Sequence, residues 1–155
     1  MKYEIERKFL VKKDLWNRIE KPKGELFRQG YISTDPNKTI RVRRTDESAF
    51  LTFKGLTVRS KRLEYEYEIP VKDAKEILDE FTDVSISKRR YKINHNGKVW
   101  EVDEFLEDYL GLVVAELELR NEDEKFDLPD WIDKEVTEDV KYFNSNLSFN
   151  PFKNW

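Results

Sequence analysis

Apolar and charged residues alternate with a period of two through most of this chain, and that alternation predicts strands. In Tyr3–Val11 the side chains of Glu4, Glu6 and Lys8 share one face, and Ile5 and Phe9 share the other. Arg41 and Arg43 lie opposite Ile40 and Val42, while Thr52 and Lys54 lie opposite Leu51 and Phe53. Arg62, Glu64, Glu66 and Glu68 oppose Leu63, Tyr65, Tyr67 and Ile69. Lys88 falls with Arg90, Glu101 with Asp103, and Glu116 with Glu118 and Arg120. The runs marked in this way are Tyr3–Val11, Leu26–Ser33, Thr39–Thr45, Ala49–Lys54, Arg62–Pro70, Ser85–Asn94, Lys98–Phe105 and Gly111–Arg120. Turn residues at Thr34-Asp35-Pro36-Asn37 and Asn94-His95-Asn96-Gly97 join neighbouring runs, the second as a hairpin.

Helical spacing is confined to three segments. Ala74, Ile77, Leu78 and Phe81 predict a helix over Val71–Phe81. A short helix is expected over Asp14–Glu20, ended by Lys21-Pro22-Lys23-Gly24. A third is expected near the C-terminus, with Thr137 as N-cap, Glu138 and Asp139 in its first turn, and Val140, Tyr142, Phe143 and Leu147 following. Many antiparallel strands with few helices imply an α+β fold, built on a barrel or a strongly curved sheet. With 155 residues and no low-complexity linker, one domain spanning 1–155 is expected.

Composition narrows the function classes. Charged residues make up 39% of the chain, yet 10 Phe, 7 Tyr and 4 Trp supply a core that a disordered chain would lack. Lys+Arg 29 against Asp+Glu 32 leaves a net charge of −3, without the basic excess of a nucleic-acid binder. There is no Cys, hence no thiolate nucleophile or metal ligand, and the lone His95 sits in a turn pattern. The chain enters a strand pattern at once and has no apolar run long enough for a signal or a membrane span, so a cytoplasmic protein is expected.

A sheet with one face in the core and one in water alternates in just this way, and for a single strand that is the better explanation. Two features argue otherwise for the set. The apolar faces carry large residues consistently, and the polar faces are almost wholly Glu, Arg and Lys. If the charged faces turn inward, acids and bases share one lumen. Like charges about 4 Å apart repel by about 4 kcal/mol at an effective dielectric near 20. A polyanion relieves the bases and a divalent cation relieves the acids, and a polyphosphate carrying Mg²⁺ or Mn²⁺ does both. No Walker-type glycine loop is present, so side chains rather than a backbone nest would hold phosphate.

The opening segment Glu4-Ile5-Glu6-Arg7-Lys8 has the form E-x-E-x-K, and the chain resembles the CYTH domain proteins, or triphosphate tunnel metalloenzymes, over essentially its whole length. Further matching segments are Gln29-Gly30-Tyr31, Arg41-Val42-Arg43, Leu51-Thr52-Phe53-Lys54-Gly55, Arg62 to Ile69, Lys88-Arg89-Arg90-Tyr91, Trp100 to Phe105, Gly111-Leu112, Ala115 to Leu119 and Glu135-Val136-Thr137. The resemblance implies a closed antiparallel β-barrel of about eight strands with a charged lumen and a few flanking helices. It implies a lumen that binds a triphosphate with one or two divalent metals, in the manner of the short bacterial inorganic triphosphatases.

By the same resemblance, Glu4, Glu6 and Glu118 are expected as metal ligands, with Glu116 and Asp103 close by. Lys8, Arg41, Arg43, Lys54, Lys88 and Arg90 are expected as phosphate ligands, with Arg62 as a further candidate. Glu64 and Glu66 are expected to orient the bases or a metal-bound water. A catalytic Lys88–Tyr31 pair is implied near the reacting phosphate, with Glu4 as the third catalytic candidate. The chain departs from the family pattern at Asp133 and Glu138, which leaves access to the lumen open. The expected function is metal-dependent hydrolysis of tripolyphosphate to pyrophosphate and phosphate. The alternatives are a class IV-type adenylate cyclase, a nucleoside or thiamine triphosphatase, and a non-catalytic polyphosphate-binding module. The expected partner is a small triphosphate, with no nucleic acid and no membrane, and the oligomeric state stays open.

Overall fold

A computed structural model describes residues 2–155. The alternating segments form nine strands: β1 (Tyr3–Val11), β2 (Glu25–Ser33), β3 (Lys38–Arg44), β4 (Ala49–Gly55), β5 (Lys61–Ile69), β6 (Ser85–His95), β7 (Lys98–Phe105), β8 (Val113–Glu118) and β9 (Ile132–Glu135). They follow one another in the order β5-β4-β3-β2-β6-β7-β8-β1-β9, and a further pairing of β5 with β1 closes eight of them into an antiparallel barrel. The α+β reading holds, with an eight-stranded closed barrel at its centre.

Strand β1 is shared along one edge. Tyr3 to Ile5 pair with Leu63 to Lys61 of β5, whereas Phe9 and Val11 pair with Glu135 and Ile132 of β9. Between them the edge is held by single contacts: Glu6 N–H donates to the Ser60 carbonyl, and Lys8 N–H to the Thr137 hydroxyl. A narrow seam in the wall therefore lies between the β4–β5 hairpin tip and β9. Sequence periodicity misses β9, whose last three residues are all charged and exposed and whose anchor is the buried Trp131-Ile132 pair.

Two apolar layers cover the outside of the barrel. Helix α1 (Lys13–Arg18) packs Trp16 against Phe9, Trp100, Val102, Ala115, Leu117 and Trp131, outward-facing residues of β1, β7 and β8 together with the segment that precedes β9. It stops two residues before the expected Glu20, where Ile19 is already extended (φ −75°, ψ 148°). Helix α2 (Val71–Phe81) has the predicted bounds and lays Ala74 and Leu78 on Val42, Ala49 and Leu51, but Phe81 points to solvent instead of joining that stripe. The β6–β7 turn places both Asn96 (φ 51°) and Gly97 (φ 79°) in the left-handed region, the conformation that Asn-Gly hairpins favour.

The expected C-terminal helix is broken. Asp139 rather than Thr137 caps, accepting from Lys141 N–H, and only a 3₁₀ turn over Val140–Tyr142 and one helical turn α3 (Asn144–Leu147) form. Phe143, extended between them (φ −69°, ψ 131°), prevents a continuous helix. This segment and the 3₁₀ turn Phe152–Asn154 strap Leu147 and Phe152 against Ile86, Phe105, Tyr109, Leu112 and Val114. No helix among the described residues is long and apolar enough to cross a membrane.

Gly30 lets α2 pack closely on the barrel: a Cβ there would stand 2.8 Å from the Thr82 hydroxyl and 3.0 Å from Leu78 Cδ2. Gly30→Ala is expected to destabilise the fold by about 1–3 kcal/mol through overpacking. Urea denaturation checks this, and an unchanged midpoint would contradict the tight packing.

Candidate active site

The barrel register gathers the charged faces on its inside. Glu6 sits opposite Glu118 and Lys8 opposite Glu116 across β1 and β8, and Glu4 faces Arg62 of β5. Arg41 lies between Tyr31 and Thr52, Thr52 faces Glu66, and Lys54 faces Glu64. The lumen encloses a cavity of about 180 Å³. Its basic lining is Lys8, Arg41, Arg43, Lys54, Arg62 and Arg90, joined by Arg59 from the β4–β5 tip. Its acidic lining is Glu4, Glu6, Glu64, Glu66, Glu101, Glu116 and Glu118.

Acids and bases compensate one another in small groups. Lys54 donates to Glu4 at 2.8 Å and lies 3.2 Å from Glu64. Lys8 is 3.8 Å from both Glu6 and Glu116. Thr52 donates to Glu66 at 3.0 Å, and Arg41 and Arg43 approach the same carboxylate at 3.7 and 4.0 Å. Arg62 turns its guanidinium to the Gly55 carbonyl and the Thr39 hydroxyl.

The charge states follow from these groupings. Burial alone would raise Glu4, but Lys54 holds its carboxyl far below the usual range. Burial opposes the charge of Lys54 too, yet Glu4 keeps its ammonium above the ordinary lysine value. Glu6 is raised, first by burial and then by the neighbouring Glu116 and Glu4. Glu118 is raised by burial, Glu4 and Glu101. Burial, with Arg41 and Arg90 close by, brings Arg43 down to about 10. The arginine side thus carries positive charge that Glu66 offsets only loosely, and the β1–β8 side carries crowded carboxylates.

Below the cavity lies a buried ion cluster. Asp103 accepts from Arg90 Nε and Nη2 at 2.7 and 2.9 Å, a bidentate fork, and contacts Lys88 Nζ at 2.7 Å. Lys88 and Asp103 are essentially inaccessible to solvent, and neither lines the cavity. Burial drives Lys88 down to about 8, whereas Asp103, despite its burial, is held far below the usual carboxylate range by Arg90 and Lys88. The apolar cluster of Ile86, Phe105 and Val114 continues the same inward face beyond them.

Two expectations need correction here. Asp103, expected close to the metal, has its carboxylate taken up by Arg90 and Lys88. The Lys88–Tyr31 pair does not form: Lys88 lies opposite Phe27, four residues along β2 from Tyr31, which is about 13 Å along a strand. Tyr31 lines the cavity beside Arg41. The other anticipated residues all reach the one cavity.

Sequence reasoning misses several neighbours. Phe27, nearly buried, has the guanidinium carbons of Arg43 and Arg90 each 5.0 Å from its ring centre, so an aromatic ring on β2 separates arginines of β3 and β6. Gln29, on the same inward face, is fully buried with neither amide atom hydrogen-bonded within the protein. Phe27, Gln29 and Tyr31 share one strand parity, the signal that would have found them. Arg59 lies in a turn, where no periodicity marks it.

The donor set suits a hard divalent cation: carboxylate oxygens line the cavity and no imidazole or thiolate does. Glu4 repels both Glu6 and Glu118, and a cation would relieve that repulsion. Among the described residues no three acidic or imidazole groups converge as preformed ligands, because Glu4 is drawn to Lys54 and Glu6 to Lys8.

A closed antiparallel barrel whose lumen is lined by interleaved carboxylates, lysines and arginines has the architecture of a charged tunnel protein. The chain belongs to the CYTH domain family, whose model matches residues 2–147. It is 50% identical over 153 residues to an inorganic triphosphatase of Acetivibrio thermocellus, covering 98% of this chain and 97% of that one. It is 33% identical over 153 residues to an inorganic triphosphatase of Nitrosomonas europaea, covering 94% and 96%. A crystal structure of an inorganic triphosphatase superposes with a TM-score of 0.64 at 31% identity, over 94% of this chain and 97% of that one.

Asp103→Asn would leave Lys88 and Arg90 buried without their shared anion, and is expected to cost about 3–5 kcal/mol. Glu118→Gln, at a more exposed position, is expected to change stability by less than about 1 kcal/mol. Paired denaturant titrations check this, and equal losses in the two variants would contradict the distinction between buried cluster and lumen acid.

Proposed function

We propose that this protein hydrolyses a phosphoanhydride bond of inorganic tripolyphosphate, releasing phosphate and pyrophosphate, with Mg²⁺ or Mn²⁺ as cofactor. The observation that carries this reading is the single lumen in which Arg41, Arg43, Lys54, Lys8, Arg62 and Arg90 face the carboxylates of β1 and β8. The similarity to inorganic triphosphatases over nearly the whole chain supports the choice of substrate. Among the described residues no insertion surrounds the lumen to read a base, because the barrel strands are joined mostly by short turns.

Phosphoryl transfer leaves little covalent work to the protein, so positioning and charge stabilisation dominate. Arg41 and Arg43 have Glu66, at 3.7 and 4.0 Å, as a loose anionic partner, and each presents a fork suited to phosphate oxygens. Lys54 and Lys8 are held by acids until a phosphate competes for them. Asp103 fixes the plane of Arg90, which keeps that guanidinium pointed at the cavity without reorganisation on binding. Glu4, Glu6 and Glu118 would hold the divalent cation, with Glu116 adjacent; the cation supplies charge neutralisation on the phosphate oxygens when bound. Tyr31 borders the phosphate path next to Arg41, and Glu64 and Glu66 orient Lys54 and Arg41.

The test is phosphate release from tripolyphosphate, ATP, thiamine triphosphate and pyrophosphate, with Mg²⁺, Mn²⁺ or EDTA. Release is expected from tripolyphosphate with metal and not with EDTA; cyclic AMP formed from ATP would instead establish a cyclase. No release from any of them, with binding retained, would leave a polyphosphate-binding module. Glu4→Gln is expected to lower kcat by at least about 100-fold with the fold and tripolyphosphate binding retained. Unchanged turnover would remove Glu4 from the site.

A further inference from the structure

The β4–β5 hairpin ends in a two-residue turn. Val58 and Lys61 exchange backbone hydrogen bonds at 2.9 and 3.0 Å, with Arg59 and Ser60 between them. Arg59 has φ 56° and Ser60 is not in the left-handed region, so the positive φ falls on the first turn residue, a place that glycine ordinarily fills. An arginine there is a local conformational cost, and nothing in the packing of the turn repays it: the side chain is 77% exposed.

The position of that side chain suggests what does repay it. Ser60, beside it, anchors the turn to the backbone of Glu6 at the centre of the lumen wall. Arg59, Ser60 and Thr137 line both the lumen cavity and an outer cavity on the far side of the seam between the hairpin tip and β9. Among the described residues, Arg59 is thus the one arginine standing at the junction of the two spaces. Its anionic contact, Glu122 of the outer cavity, is 3.7 Å away, a loose pairing that a phosphate oxygen would displace.

We propose that Arg59 is a substrate-binding residue, the outermost phosphate contact of the lumen, which exchanges Glu122 for the terminal phosphate of the bound chain. The inference rests on the reading of the lumen as a polyanion site. Arg59 reaches the phosphate chain at the seam, away from the buried Arg90–Asp103 cluster, so it contributes to binding rather than to bond cleavage.

The test uses variants whose effects on stability and binding have opposite signs. Arg59→Gly removes the guanidinium and restores the residue that the turn favours, so its melting temperature is expected not to fall. Its affinity for tripolyphosphate, measured by calorimetry on the intact protein, is expected to weaken about tenfold, with KM rising by the same factor and kcat within about twofold. Arg59→Lys is expected to recover part of the affinity, and Glu122→Gln, which frees Arg59, to tighten it. Equal affinity in wild type and Arg59→Gly would overturn the proposal, as would lost affinity accompanied by a lowered melting temperature. Wild-type binding without turnover would overturn only the hydrolase reading, since the affinity comparison stands without it.

Discussion

Closing an antiparallel sheet on itself forces its two faces into different environments, and everything in this structure follows from which face went inward. The apolar face went out, to be covered by Trp16 and Trp131 on one side and by α2 on the other. The ionisable face went in, where burial makes each charge find a partner or shift its protonation. Lys54 with Glu4, Lys8 between Glu6 and Glu116, and Arg90 with Asp103 are answers to that constraint. Glu6 and Glu118, raised by burial and by their acidic neighbours, mark where the answer is incomplete. The residual repulsion among acids on one wall and bases on another is what a phosphate chain and a cation would relieve.

Rigidity and availability are divided along the lumen axis. At the buried end, Arg90 and Lys88 share Asp103 in tight geometry, and Phe27 packs against Arg90, so these two cations are fixed before anything binds. Elsewhere on the lining, Arg41, Arg43 and Arg59 have carboxylate neighbours only at 3.7 to 4.0 Å. Fixed groups lower the reorganisation that catalysis must supply, and loosely held ones can trade partners on binding.

Parity along the strands is enough to group nearly all the lumen side chains, because a strand's period of two survives whatever the strands pair with. The bounds of β1, β7 and α2 are legible in the amino-acid sequence for the same reason, each being periodic to its ends. What parity cannot give is depth along the barrel. Lys88 and Tyr31 share an inward face, but register sets them four residues apart, and Asp103 lies below the cavity instead of in it. Elements held by tertiary contacts are also hidden: β9 carries three charged residues of four, and the C-terminal strap is broken by Phe143, whose extended backbone no local propensity requires. Arg59 escapes because a turn residue has no period to betray it.

The joint that closes the barrel is short. Strands β6 and β7 match eight residue pairs, whereas β1 and β5 match only Tyr3–Leu63, Glu4–Arg62 and Ile5–Lys61. Across this joint Lys54 of β4 binds Glu4 of β1 and Glu64 of β5 together, a three-membered clasp made from residues that also face the cavity. A ligand that draws Lys54 or Glu4 toward itself loosens the clasp, and its own charge must refasten it. Because the joint and the cavity share Lys54, Glu4 and Glu64, a ligand that drew on those charges would couple its binding to the joint in equal measure both ways.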